Sequence, residues 1–151
     1  LDTSGMTYDE FKTELTTFGS LPATDAVVTV AAGNSGVACS SSNLNGCNAI
    51  AMAMAIDPNT NKNTIIVGAT TGGGSSETIA SYSSRAGMFS DRYLMASGDT
   101  GLYFQDDGSE VKGTSFSAPR VAGAAAILRQ KFPNLSSADA ASILLLTALS
   151  D

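Results

Sequence analysis

Gly113-Thr114-Ser115-Phe116-Ser117-Ala118-Pro119 marks a point where loop gives way to helix. Beyond it, Ala118, Val121, Ala122, Ala125, Ala126 and Leu128 recur at helical spacing as far as Lys131-Phe132, and Pro133 closes the run. So many small residues predict a helix packed closely on all sides. A serine at its start lies beside backbone N–H groups that have no partner within the helix, at the positive end of the helix dipole, where developing negative charge is favoured. That setting suits a nucleophile. It equally suits an ordinary helix cap, and an isolated Gly-Thr-Ser does not distinguish the two.

Upstream, residues 26–32 (AVVTVAA) and 64–69 (TIIVGA) read as short strands apolar on both faces, as in the interior of a parallel sheet covered by helices. Gly33 ends the first, which puts Asn34 at its carboxyl end. Thr7 and Glu10 have capping-box spacing for an amphipathic helix over 7–18, with Phe11, Leu15 and Phe18 on one face and Gly19 closing it. Residues 59–63 read as a turn and 71–76 as a Gly/Ser loop. Shorter strands are expected over 79–83 and 93–96, with a hairpin from 102–104 to 110–112 around Asp106-Asp107-Gly108. A last helix, capped by Ser136 or Ser137, runs to about Leu149. With no repeat and no linker to divide it, the alternation of elements defines one α/β unit with a largely parallel sheet.

Two motifs then gain a common meaning. The nucleophile segment, followed by Val121-Ala122-Gly123-Ala124-Ala125, resembles the active-serine signature of the subtilisin-like serine proteases. Val30-Ala31-Ala32-Gly33-Asn34-Ser35-Gly36 resembles the oxyanion-hole segment of that family, and the strand Ile65-Ile66-Val67-Gly68-Ala69 lies between the two in the family's order. The resemblance runs from about Asp25 onward. It implies part of a three-layer α/β fold, with helices on both faces of a mainly parallel sheet. It implies Ser115 as the nucleophile, Asn34 as a side-chain donor to the tetrahedral intermediate, a protein or peptide substrate, and no required cofactor. Gly-Thr-Ser-Phe-Ser-Ala-Pro is also similar to the version in autotransporter proteases of Gram-negative bacteria, which implies a secreted or cell-surface bacterial protein. For Asn34 alone, a turn residue after a strand is the plain alternative.

A serine hydroxyl needs a base near neutral pH, and the chain contains 0 His. In the family the Asp and His both precede the Asn segment. Residues 1–151 are therefore expected to be the C-terminal part of a peptidase domain, inactive alone and partnered by the missing N-terminal half or by self-association. Such a half should expose an apolar edge strand and part of a helix-covering face. Lys112 is the one local candidate for a substitute base and would need a depressed pKa. The sedolisin relatives use carboxylates but place Asp where Asn34 stands. From a different class, a binding module that kept the fold and lost the base is the rival reading.

Composition narrows the partners further. A net charge of −6 with 8 Lys and Arg argues against nucleic acid or an anionic membrane surface. No apolar run is long enough to cross a bilayer, and Leu1-Asp2-Thr3-Ser4-Gly5 lacks the pattern of a signal peptide, so any export signal is expected to lie upstream or to have been removed. Cys39 and Cys47 flank a Ser/Asn/Gly loop with no neighbouring His; a disulfide in an oxidising compartment fits better than two thiols or a metal site. Residues 57–61 have the oxygen spacing of a calcium loop but Lys62 where glycine is wanted, so a turn is preferred. Asp106, Asp107 and Glu110 are a weak calcium candidate against a solvated hairpin tip. Gly72-Gly73-Gly74 lacks the Lys of a phosphate loop, and Met52, Met54 and Met88 read as core filler. Residues 72–78 and 99–105 are expected to border the substrate cleft.

Overall fold

Ile65, Ile66 and Val67 sit in the middle of a strand whose first seven residues are all buried, and the layers of the fold are arranged around it. The computed structural model describes residue 3 and residues 5–148. In chain order its helices and strands are α1 (Tyr8–Phe18), β1 (Val28–Ala31), α2 (Ala49–Ile56), β2 (Thr64–Thr71), β3 (Thr78–Ile79), β4 (Tyr93–Ser97), β5 (Asp99–Phe104), β6 (Glu110–Lys112), α3 (Thr114–Lys131) and α4 (Ser137–Thr147). β2 pairs in parallel with β1 along Thr64–Val67 and with β4 along Ile66–Thr70. Since both ladders use Ile66 and Val67, the two partners must flank β2 on opposite edges. β3 adds a short antiparallel ladder at Thr70 and Thr71.

The period of two along β2 sends its side chains into different layers. Ile66 joins Phe11, Ala32, Leu44, Ala51, Met52 and Phe89 on the face covered by α1 and α2. Ile65 and Val67 join Ala118 and Val121 of α3 and Ala141 of α4 on the other face. Each large aliphatic side chain so buried contributes about 1.5–3 kcal/mol relative to exposure. The expected α/β architecture, a mainly parallel sheet with helices on both faces, is thus present.

Local signals account for most helix ends. Thr7 and Glu10 form the capping box reciprocally, Ser136 caps α4 through the Asp139 N–H, and Gly19 closes α1 at φ 82°. Asn48 caps α2 by accepting from the Ile50 and Ala51 N–H groups.

Several expectations need correction. α2 had no element assigned; its AIAMAMAI sequence is apolar all round and carries no amphipathic period, although Met52 does fill the core. The strand expected over 79–83 stops at Ile79, because the chain turns at Ala80 to bury Ser83 and Ser84, whose hydroxyls bond Ala69 N and Ser35. Phe18 does not share the buried face of Phe11; it is 74% exposed. The hairpin is longer than expected, beginning at Asp99. Residues 57–61 form a turn in which the Asp57 carboxylate accepts the N–H groups of Asn59 and Leu21. The predicted end of the last helix at Leu149 lies outside the described residues.

The largest difference concerns α3, which packs on one side only. Thr114, Ser117, Ala118, Val121 and Ala125 are buried, whereas Gly123, Ala124, Ala126 and Ile127 on the opposite side are exposed, Ile127 by 68%. Among the described residues β1 likewise pairs along one edge only.

Cys39 and Cys47 are joined in a disulfide that closes the loop following Asn34. Residues 33–39 of this loop are zipped to the 82–88 segment by Ser84 N to Gly33 O (2.9 Å), Gly36 N to Tyr82 O (2.8 Å), Arg85 N to Val37 O (3.0 Å) and Met88 N to Cys39 O (3.1 Å). Replacing both cysteines by alanine is expected to lower unfolding stability by about 2–3 kcal/mol, the chain-entropy value for so short a loop, as read from urea unfolding midpoints under oxidising conditions. A loss below about 0.5 kcal/mol would show that the hydrogen bonds alone hold the loop.

Candidate active site

β1 delivers the chain to Gly33, whose φ of 106° turns it sharply and suits only glycine. Asn34 follows, exposed at the carboxyl end of the strand. From the other direction β6 leads through Gly113 into the first turn of α3, where Thr114 is fully buried and Ser115 is exposed. The sheet therefore brings together two segments that are 80 residues apart.

Their junction is specific. The Asn34 Oδ1 accepts two hydrogen bonds from Thr114, one from its backbone N–H (3.0 Å) and one from its hydroxyl (3.0 Å). The Thr114 hydroxyl in turn accepts the Gly33 N–H at 3.3 Å. With its oxygen so engaged, the carboxamide keeps its Nδ2 hydrogens for another acceptor, and among the described residues Nδ2 has no protein partner. The Ser115 N–H, an orphan donor of the first helical turn, is likewise unpaired among these residues, as is the Ser115 hydroxyl.

Both open donors lie near one point beside Gly113. A side-chain carbon placed on Gly113 would lie 3.3 Å from Asn34 Nδ2 and 3.8 Å from Ser115 N. Glycine at 113 leaves that point empty; the Asn34 Oδ1 also borders it, at 3.7 Å. The arrangement suits binding an anionic or strongly polarised oxygen next to a serine hydroxyl.

Lys112 is unsuited to act as a base. Its ammonium group lies 3.1 Å from Glu110 and 3.4 Å from Asp99; the Glu110 hydrogen bond, joined by Asp99, holds its pKa above the ordinary lysine value against the opposing effect of partial burial. Asp99 also ties the two stretches expected to border a cleft. Its carboxylate accepts from Thr71 Oγ1 (2.8 Å) and Gly72 N (3.0 Å). Burial raises the Asp99 pKa, but these bonds and Lys112 outweigh it and hold the group below the usual aspartate value. Glu110 is lowered chiefly by the Gly101 N–H and then by Lys112.

Sequence reasoning singled out Ser115 and Asn34, and the fold brings their segments into contact; it did not single out Thr114 as the anchor of Asn34, or Asp99. Thr114 was visible only as a neighbour of the serine. Asp99 carried no local signal, because its hydroxyl partner Thr71 is 28 residues away.

Residues 7–151 match the model of the subtilase family, Peptidase S8, and the chain belongs to that family. Among solved structures it is similar to the self-cleaved protease domain of PatA, with 24% identity and a TM-score of 0.53 over 82% of this chain and 43% of that one. It is also similar to a serine-to-alanine mutant of the protease domain of PatA, again at 24% identity and a TM-score of 0.53, over 80% of this chain and 39% of that one. The chain thus spans less than half the length of these structures, and at this identity the likeness concerns the fold. No curated protein matches it.

The charge cluster yields a pH dependence with a defined sign. Asp99 and Glu110 have folded-state pKa values below their ordinary ones, so their stabilisation is complete above the ordinary carboxylate range, near pH 4, and is lost as pH falls through the lowered values. Thermal midpoints should therefore fall between about pH 5 and pH 2, and Asp99→Asn should flatten that acid limb while lowering the midpoint at pH 7. An acid limb as steep in Asp99→Asn as in the parent would contradict this assignment.

Proposed function

We propose that this chain supplies the nucleophile and oxyanion hole of a serine endopeptidase of the subtilase family. The observation that carries the reading is the pair of hydrogen bonds from Thr114 to Asn34 Oδ1, which leaves a carboxamide donor and the Ser115 N–H open beside the exposed Ser115. In the proposed reaction Ser115 Oγ adds to the scissile carbonyl carbon while its proton passes to a general base. The carbonyl oxygen becomes an oxyanion that accepts from Asn34 Nδ2 and Ser115 N–H. Collapse expels the amine, which takes the proton from the base, and water then hydrolyses the acyl ester by the same route. This chemistry uses no metal or cofactor.

With 0 His in the chain and Lys112 held cationic by two carboxylates, we place the base in polypeptide outside these 151 residues. The uncovered side of α3 and the single-sided pairing of β1 fit a domain completed by such a segment, with self-association as the other way to cover those surfaces. We infer a protein or peptide substrate and a secreted or cell-surface location in a bacterium; the disulfide supports an oxidising compartment. Among the described residues no helix is long and apolar enough to cross a membrane.

In the full-length protein containing this chain, Ser115→Ala should reduce hydrolysis of fluorescein-labelled casein by at least about three orders of magnitude. A fluorophosphonate should form a covalent adduct on Ser115, located by mass spectrometry. Asn34→Ala should lower kcat by about 10²–10³, the loss measured for such a donor in this family. The 151-residue chain alone should show only trace activity; appreciable hydrolysis by it, abolished in Ser115→Ala, would place the base within the chain. A full-length protein with neither hydrolysis nor adduct would make this a binding module.

A further inference from the structure

We propose that Asp99 is a positioning residue that ties the segment leading into Ser115 to the end of β2, an inference that rests on reading Ser115 as the nucleophile. The segment is short: Lys112 stands three residues before the serine. The Asp99 carboxylate lies 3.4 Å from the Lys112 ammonium, and the two residues are partners in the β5–β6 ladder. Beside them the Gly98 carbonyl accepts the Gly113 N–H at 3.2 Å. Asp99 also meets the helix itself, because its backbone carbonyl accepts from Arg120 Nη2 of α3 at 2.9 Å. What gives these contacts a fixed reference is a further attachment. Thr71, the last residue of β2, donates its hydroxyl to Asp99 Oδ2 (2.8 Å), and the Gly72 N–H donates to the same oxygen (3.0 Å). The entrance to α3 is thereby tied to the strand on which α3 packs.

The two carboxylate oxygens have different partners. Oδ2 accepts from Thr71 and Gly72, whereas the Lys112 contact is to Oδ1. An amide in place of the carboxylate can keep its oxygen on Thr71 and Gly72, but it then sets an NH2 group against the ammonium, donor facing donor. Glu110 does not replace the lost link. It lies 3.1 Å from Lys112, yet its other bonds, from the Gly101 N–H and the Thr100 hydroxyl, stay within the hairpin. Lys112 would remain paired while the hairpin lost this side-chain tie to β2. A nucleophile and its oxyanion donors act only when placed to within about 0.5 Å, so a small shift at the helix entrance reaches the reaction. Asp99 thus acts through the placement of Ser115.

The test uses the full-length protein and two readouts: hydrolysis of fluorescein-labelled casein, and the rate of labelling by a fluorophosphonate, which reports on the serine without a bound peptide. Asp99→Asn leaves the backbone bond from Arg120 in place and so reads the carboxylate alone. It should lower kcat and the labelling rate in parallel, by about tenfold, with KM changed by less than about twofold. Lys112→Met should do the same, Lys112→Arg should stay within about threefold of the parent, and the double variant Asp99→Asn/Lys112→Met should fall no more than about twofold below either single one. Asp25→Asn, which breaks the ion pair to Arg129 farther along α3, should lower the thermal midpoint while leaving kcat within about twofold of the parent. Multiplied losses in the double variant, an equal kcat loss in Asp25→Asn, arginine no better than methionine at 112, or a KM effect with labelling at the parent rate would each overturn the proposal. Should Asp99→Asn fail to fold, as judged by its thermal midpoint, the two Lys112 variants carry the test with the same expected pattern. A parent protein with no fluorophosphonate adduct on Ser115 would defeat the nucleophile reading itself, and this inference with it. Normal labelling of the parent beside an unresponsive Asp99 and Lys112 series would defeat only this inference.

Discussion

A carboxamide oxygen held by two donors from a single residue joins the end of a strand to the start of a helix 80 residues later. Neither segment makes a site alone. β1 supplies a polar side chain at its carboxyl end, and α3 supplies an exposed hydroxyl and an unpaired N–H. Only when Thr114 reaches Asn34 do these groups share one space, and the bond from Gly33 to the Thr114 hydroxyl closes the contact into a small network. The contact is part-buried, with Asn34 exposed and Thr114 fully buried, so a donor or acceptor of Thr114 left without a partner would carry a desolvation cost.

The framework that brings the partners together is hydrophobic. β2 pairs with β1 on one edge and β4 on the other, and its Ile65 and Val67 hold α3 through Ala118 and Val121. The register of β1 on β2 therefore sets the height of Asn34, while packing of α3 on the same strand sets the height of Thr114. A slip of one residue in β1 would turn Val30 and Ala32 away from the Phe11 cluster, so the core enforces the alignment that the polar contact needs. The hairpin Asp99–Lys112 feeds directly into Gly113, and its charge cluster braces that approach from the solvent side.

What could be read from residues alone was local or strongly patterned. The apolar runs of β1 and β2, the Thr7–Glu10 capping box and the helix that opens at residue 114 were legible because each is written in a few consecutive residues. Ser115 and Asn34 stood out through the motifs around them. α2 was missed because alanine, methionine and isoleucine surround it evenly, leaving no polar face to reveal a period. The turn at Ala80–Ser84 was missed because its serines are buried by partners far along the chain, such as Ala69 and Ser35. The helix bearing Ser115 was expected to be enclosed, since small apolar residues occur all round it; the same residues line a surface that nothing among the described residues covers.

That bare surface has a thermodynamic meaning. Residues 123, 124, 126 and 127 lie two to three turns beyond Ser115 on the same helix, with Pro119 between, and whatever shields them adds contacts to the helix that carries the serine. Any ligand that prefers the ordered helix stabilises it by RT ln(1 + [L]/Kd), and the placement of Ser115 relative to Asn34 becomes linked to the concentration of that ligand. Covering that flank and stabilising the helix that carries Ser115 would then be one linked equilibrium.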